Sequence, residues 1–92
     1  MKIESTLDER QAKYNLYGSF AKHASIAQDL QRRMQMEAGW LRLEDDQRQA
    51  LTTITDKIAR MLNGDPTYRD NWHDIVGYAK LVDDRMARDE TD

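Results

Sequence analysis

The chain has 92 residues, no cysteine and a formal net charge of −3 at pH 7. This composition excludes a disulfide framework and a thiolate metal site, and the slight excess of acidic residues argues against a long nucleic acid as partner. No apolar stretch approaches the roughly 20 residues that span a membrane, and no signal-peptide hydrophobic region is recognisable. We therefore expect a single domain over residues 1–92, located in the reducing cytoplasm and without a membrane partner.

The N-terminal part of the chain predicts a short helix that ends at a corner. Thr6 and Glu9 have the spacing of a capping box for a helix over about residues 7–16. Gly18 breaks this helix, and Ser19 is placed to cap the next one. Apolar residues then recur at helical spacing over residues 20–37, namely Phe20, Ala24, Ile26, Ala27, Leu30 and Met34.

The middle of the chain predicts an apolar link and a third helix. We expect Gly39 to end the second helix, after which Trp40, Leu41 and Leu43 pack under the bundle. Glu44 or Asp45 opens the third helix. Its inward-facing positions, at helical spacing, are Leu51, Ile54, Ile58 and either Met61 or Leu62.

The last third of the chain predicts a tight turn and a fourth helix. Gly64 is expected in the left-handed conformation after the third helix, and Pro66 cannot continue that helix. Asp70 or Asn71 is placed to cap the fourth helix, and the tail at residues 88–92 is expected to fray. The stripe that this helix buries is predicted to be Trp72, Ile75, Val76, Ala79, Val82 and Met86.

These patterns predict an all-α fold, with a short N-terminal helix and three longer helices packed as a small bundle. No alternating strand pattern interrupts them. A chain of this length buries only about 60–68% of its unfolded surface. A lone copy is therefore marginally stable, and we expect the bundle to oligomerise.

Three carboxylates give the chain one candidate metal site. Asp70 and Asp74 lie one helical turn apart, and Asp56 can meet them from the preceding helix, so that the three could hold magnesium for pyrophosphate cleavage. This set weakly resembles that of the all-α nucleotide pyrophosphohydrolases of the MazG kind. The simpler interpretation, which we favour, pairs Asp74 with Lys57 or Arg60 and leaves Asp70 as a helix cap.

The remaining candidates for catalysis do not form a site. His23 and His73 lie on different helices without a second histidine at ligand spacing, so that a surface or boundary position is expected for both. The chain has neither a nucleophile elbow nor a glycine-rich phosphate loop. We therefore assign no catalytic residue, no metal ligand and no cofactor, and expect a protein that is not an enzyme.

An aromatic residue at the glycine corner and basic residues on the second helix are the candidates for ligand binding. Trp40 and Trp72 are expected to pack, whereas Tyr17 at the corner can project toward a ligand. Lys22, Arg32 and Arg33 form a basic cluster on the second helix, although the two arginines also suit the negative end of that helix. An aromatic ring together with cationic groups favours a small anionic ligand.

Three motifs carry a family resemblance: YGSF at residues 17–20, KIARMLNGDP at 57–66 and DNWHDIVGYAKL at 70–81. Together they resemble a family of small phage proteins that includes the second type of anti-CBASS cyclic-oligonucleotide sponge. The resemblance implies a homohexamer in the cytoplasm of the host bacterium. Such a protein binds the cyclic dinucleotide and trinucleotide messengers of CBASS immunity and sequesters them without cleavage.

The resemblance also implies which residues contact the ligand. Tyr17 matches the aromatic residue at the first corner, and Ser19 lies at the same corner. Arg32 is the best match for the basic partner, a position where the family pattern has lysine, and its basic neighbours are Arg33 and Lys22. Arg60 is a candidate for a second pocket, which takes a trinucleotide.

Two other functions stay open on the sequence alone. One is a magnesium-dependent MazG-like pyrophosphohydrolase that uses the three aspartates. The other is a helical protein that blocks a host factor by direct contact.

Overall fold

The computed structural model describes residues 18–91, which form four helices and no strand. They are α1 (Phe20–Gln35), α2 (Ala38–Leu41), α3 (Asp45–Asn63) and α4 (Arg69–Thr91). The predicted all-α bundle is therefore confirmed for this range. The predicted N-terminal helix over residues 7–16 and its capping box at Thr6 and Glu9 lie outside the described residues.

Helix α1 begins where the sequence predicts and ends earlier than expected. Ser19 is its N-cap, and the Ser19 side chain accepts a hydrogen bond from the backbone N–H of Lys22 at 3.3 Å. The last turn ends at Gln35, with Met36 as the C-cap. The prediction that Gly39 ends this helix is therefore wrong. Gly39 belongs to the one-turn helix α2 that follows.

Helix α3 is closed at its start by a capping box. The Glu44 side chain accepts from the backbone of Gln47, and the Gln47 side chain accepts from the backbone N–H of Glu44 at 2.8 Å. Gly64 ends the helix with a φ of −140°. The prediction of a left-handed Gly64 is therefore wrong. The turn is stabilised instead by Asp65, whose carboxylate accepts from the Thr67 hydroxyl at 2.6 Å and from the Thr67 backbone N–H at 2.9 Å.

Helix α4 begins before either of its predicted cap residues. Asp70 lies in the first turn, because the helix already starts at Arg69. Asn71 is inside the helix and only 2% exposed, so the cap prediction is wrong for both residues. At the other end α4 continues to Thr91, so that residues 88–91 of the tail are helical.

Helix α3 lies in the middle of the molecule, with α1 and α4 packed against it and nearly out of contact with each other. Asn63 joins α3 to the start of α1, since its side-chain amide donates to the Ser19 carbonyl at 2.8 Å. Lys57 joins α3 to α4 through an ion pair with Asp74 at 3.1 Å. The Cα radius of gyration is 16.3 Å, whereas a compact domain of this length has about 12 Å.

The interior of this arrangement is thin. The apolar side chains buried within residues 18–91 are Ala27, Ala50, Ala59 and Met61. Of the alternatives Met61 and Leu62, Met61 is the one that faces inward, at 6% exposed. Several other residues predicted to pack are exposed instead, because α1 and α4 cover only part of α3 and leave their own outer sides open. These corrections apply to Phe20 (81% exposed), Leu41 (76%), Val76 (64%), Trp72 (54%), Met86 (42%) and Leu51 (37%).

None of the four helices within residues 18–91 combines the length and the apolar composition needed to cross a bilayer.

Candidate functional site: the corner at the start of α1

The predicted glycine corner is a close contact between the start of α1 and the end of α3. Gly18 has a φ of +73°, the one positive φ within residues 18–91. A Cβ at this position would lie 2.2 Å from the carbonyl oxygen of Asn63. Only glycine fits such a contact with this backbone conformation. The corner at Gly18 is thus fixed to the end of α3.

Two of the predicted ligand residues lie together at this corner. Ser19 caps α1, and Lys22 lies in the first turn with its side chain exposed to solvent. The first turn of α1 carries no acidic residue. The N-terminus of a long helix and a lysine side chain both favour an anion. Tyr17, the predicted aromatic contact, lies outside the described residues.

A buried histidine connects α1 to α3 one turn beyond the corner. His23 is 7% exposed, and its Nε2 lies 2.7 Å from the Oδ1 of Asp56. The other carboxylate oxygen of Asp56 lies 3.5 Å from the Nε of Arg60. The surface or boundary position predicted for His23 is therefore wrong, because its ring fills the contact between the two helices. Phe20 stacks on this ring at a centroid distance of 6.0 Å.

Arg60 lies near the corner because it is one turn before Asn63, the residue that contacts Ser19. Its side chain is 34% exposed. Ser19, Lys22 and Arg60 therefore lie at the same end of the molecule.

The inward position of His23 could have been predicted from the sequence. His23 is four residues before Ala27, so that both lie on the same face of the helix.

Arg32 and Arg33 lie at the opposite end of α1. Thirteen residues separate Ser19 from Arg32, which corresponds to about 20 Å along the helix axis. Arg32 pairs with Asp29, and Arg33 pairs with Glu37 at 2.7 Å. Of the three basic residues singled out on α1, Lys22 is therefore the one that lies at the corner of its own chain. Arg32, the best match by resemblance, is not brought there.

The three aspartates of the alternative metal site have separate partners. Asp56 pairs with His23, Asp74 with Lys57, and Asp70 accepts from the Tyr68 hydroxyl at 2.9 Å. No group of three or more potential metal ligands occurs within residues 18–91. The predicted pairing of Asp74 with Lys57 is confirmed.

The remaining singled-out residues lie away from the corner. His73 is exposed on α4, as predicted. Trp72 is 54% exposed, and its indole N–H donates to the Pro66 carbonyl at 2.9 Å. Trp40 is half-buried, and its carbonyl accepts from Arg48 at 3.2 Å. Neither tryptophan is part of the corner.

Comparison with known proteins gives no relative. No protein-family model, no curated protein and no solved structure matches the chain. The corner with its Ser19 cap, exposed Lys22 and nearby Arg60 is thus interpreted from its own chemistry, which suits a small ligand with negative charges.

Proposed function

We propose that this protein binds cyclic dinucleotides and trinucleotides of bacterial CBASS immunity and sequesters them without cleaving them. In this proposal it is a phage protein that acts in the host cytoplasm as a homo-oligomer, a hexamer by resemblance. The observation that carries the proposal is the rigid corner at Gly18, which joins the YGSF motif to the KIARMLNGDP motif through the contact with Asn63. Both motifs belong to the family resemblance.

The corner supplies the contacts that a cyclic dinucleotide needs. Tyr17 directly precedes Gly18, and its ring would stack on a base. The exposed Lys22 ammonium and the N-terminus of α1 would meet a phosphate. Arg60 on α3 is held by Asp56 at the same end of the molecule and would serve the second, trinucleotide pocket.

An oligomer would multiply these contacts. A cyclic dinucleotide has near two-fold symmetry and suits two copies of one corner about a two-fold axis, as a trinucleotide suits a three-fold axis. Arg32 and Arg33, which lie about 20 Å from the corner of their own chain, would reach the ligand of a neighbouring subunit. The exposed apolar side chains of α4 would be buried between subunits, which supports self-association.

The energy of such a site bears on how tightly it can hold a ligand. Stacking a base on an aromatic ring contributes about 1–3 kcal/mol, and a charge-assisted phosphate contact contributes about 1.5–3 kcal/mol. Two of each sum to about 5–12 kcal/mol, so that a nanomolar dissociation constant, which needs roughly −12 kcal/mol, requires the upper end of these ranges. A chain that holds its ligand this strongly acts by lowering the free messenger concentration and needs no catalytic group.

Replacing Tyr17 tests the proposal directly. We expect Tyr17→Ala to weaken binding of cyclic GMP–AMP at least 100-fold in calorimetry, because each subunit loses one stacking surface. The mass in solution should stay that of the wild type. Leu41→Ala is the control, since Leu41 is a large side chain on α2 that is 76% exposed and lies outside the corner, and it should bind like the wild type. Equal affinity of Tyr17→Ala and wild type would contradict the proposed site.

The fate of the ligand separates sequestration from hydrolysis. Wild-type protein is incubated with cyclic GMP–AMP, and separately with a nucleoside triphosphate panel, in the presence of magnesium. After heat denaturation, the proposal expects the cyclic dinucleotide to be recovered intact and the triphosphates to be unchanged. Release of pyrophosphate or of a linear dinucleotide would overturn the proposal and favour the pyrophosphohydrolase.

A further inference from the structure

One glycine of α4 has no role within the described chain. Gly77 lies inside a helix of 23 residues, where glycine is among the least favourable residues. A Cβ at this position would meet no described atom within 4 Å, so that space inside the chain does not require glycine. Its φ is not positive either. A glycine in an exposed helix leaves a gap in the side-chain surface, where another molecule can approach the backbone closely.

The surface around Gly77 is an open, largely apolar cavity. It has a volume of about 420 Å³, and its described lining residues are His73, Asp74, Gly77, Tyr78 and Leu81. Leu81 is 67% exposed and Tyr78 is 39% exposed. Gly77, which has no side chain, lies among these residues. A second helix could therefore lie closer to α4 here than elsewhere along its length.

We propose that α4 crosses the α4 helix of a second copy of this chain at Gly77, about a two-fold axis and in antiparallel orientation. The two glycines then meet at the axis. Leu81 of each copy lies over the cavity of the other and becomes buried. The inference rests on the oligomer of the proposed function and specifies one of its interfaces.

Charge favours this antiparallel orientation. Lys80 and Asp74 lie three residues after and three residues before Gly77, and their side chains are 68% and 43% exposed. Within its own chain, Asp74 pairs with Lys57 at 3.1 Å and Lys80 pairs with Asp84 at 2.8 Å. An antiparallel crossing brings the Lys80 ammonium of each copy toward the second copy's Asp74 carboxylate, so that these pairs join into one network across the axis. A parallel crossing would place Asp74 against Asp74 and Asp84 against Asp84, which is repulsive.

The composition of the interior supports a second copy as the occupant. The apolar side chains buried within residues 18–91 are three alanines and one methionine. A helix pair through α4 would bury the apolar side chains that one chain leaves exposed, and thereby stabilise each subunit.

The test enlarges Gly77 and measures the mass in solution. Gly77→Leu keeps the helix, because leucine is a far better helix former and the site is open. We expect this variant to have unchanged far-ultraviolet circular dichroism and at least 10-fold weaker association by sedimentation. Ser25→Leu is the matched control, because Ser25 is exposed on α1, and it should sediment like the wild type.

A cysteine cross-link tests the same contact independently. The chain has no cysteine, so Gly77→Cys introduces one thiol per subunit at the proposed axis. We expect it to form a disulfide-linked dimer on mild oxidation, since Cα atoms about 4.4–6.8 Å apart can be bridged. Ser25→Cys should stay unlinked.

The outcomes distinguish this interface from the proposed function. Wild-type mass in Gly77→Leu, or no cross-link in Gly77→Cys, would overturn the interface while leaving the oligomer and its ligand binding intact. A wild type that is monomeric at all concentrations would overturn the interface and the oligomeric sponge together. Equally weakened association of Gly77→Leu and Ser25→Leu in sedimentation would also contradict the proposed interface, because the effect would not be specific to Gly77.

Discussion

At the scale of single residues, the structure depends most on Gly18. Its positive φ turns the chain into α1, and its missing side chain lets the backbone approach Asn63. The hydrogen bond from the Asn63 side chain to the Ser19 carbonyl then closes the contact at 2.8 Å. Through these two interactions, one glycine fixes the position of the α1 N-terminus relative to α3. The proposed ligand contacts depend on that position.

We therefore expect Gly18→Ala to destabilise the protein by more than about 2 kcal/mol. The left-handed conformation costs a residue with a Cβ about 1–2 kcal/mol, and the contact with Asn63 adds to this. Urea unfolding measures the change. Gly39→Ala is the control, because Gly39 is helical and a Cβ there would come no closer than 3.7 Å to Arg42. It should match the wild type, and equal stability of both variants would contradict the role of Gly18.

The sequence could predict the kind of position that such residues occupy, but not their partners. Gly18 and Ser19 were placed correctly, because turn and cap preferences depend on local backbone geometry. The pairing of His23 with Asp56 was missed. These residues are 33 positions apart, and their contact depends on how far α1 is shifted along α3. Local preferences contain no information about that shift.

At the scale of helices, one arginine joins the end of α4 to the start of α3. Arg85 donates two hydrogen bonds to the carboxylate of Asp46, at 2.7 and 2.9 Å, and one to Asp89 at 3.0 Å. The Arg85 side chain is only 21% exposed. This geometry is bidentate, which makes the pair stronger than an ordinary surface ion pair. It holds together the ends of the two helices opposite the α3–α4 turn.

The pair predicts a defined dependence of stability on pH. Its hydrogen bonds lower the pKa of Asp46 below the ordinary 3.8. Because the folded-state pKa lies below the unfolded one, the stabilisation is present above the ordinary pKa and is lost as the pH falls through the lowered value. We expect Arg85→Gln to lose less stability than the wild type as the pH falls below the ordinary Asp46 pKa of 3.8.

Thermal melting at a series of pH values measures this difference. Arg88→Gln, which removes an exposed arginine from the same helix, serves as the control for net charge. It should follow the wild-type profile. Parallel profiles for Arg85→Gln and wild type would show that the Asp46 pair does not govern the acid dependence.

The helix boundaries were predicted less well than the helices themselves. Helical periodicity identified α1, α3 and α4, because it extends over several turns. The start of α4 was missed because Tyr68 and the turn centred on Asp65 bring the chain into helical geometry at Arg69, before Asp70. Gly64 ends α3 without a left-handed φ. Several turn geometries can satisfy the same residues, so composition alone does not select one.

At the scale of the whole molecule, the apolar surface exceeds what one chain buries. Periodicity correctly grouped the apolar residues of α4 on one side, but Trp72 and Val76 remain more than half exposed. The reason is the open arrangement in which α1 and α4 both pack on α3 and hardly on each other. A sequence pattern shows which residues are available for burial. Whether the same chain or another copy covers them depends on tertiary and quaternary structure.

This surplus predicts that thermal stability depends on protein concentration. If copies of the chain bury their apolar surfaces against each other, unfolding is coupled to dissociation, and dilution lowers the melting temperature by mass action. For a domain of this size, a hundredfold dilution should lower it by about 5 °C or more. In Trp40→Phe, where Trp72 is the remaining tryptophan, the emission should shift to longer wavelength on dilution. A melting temperature constant over that range would indicate that the exposed surface of α4 does not associate.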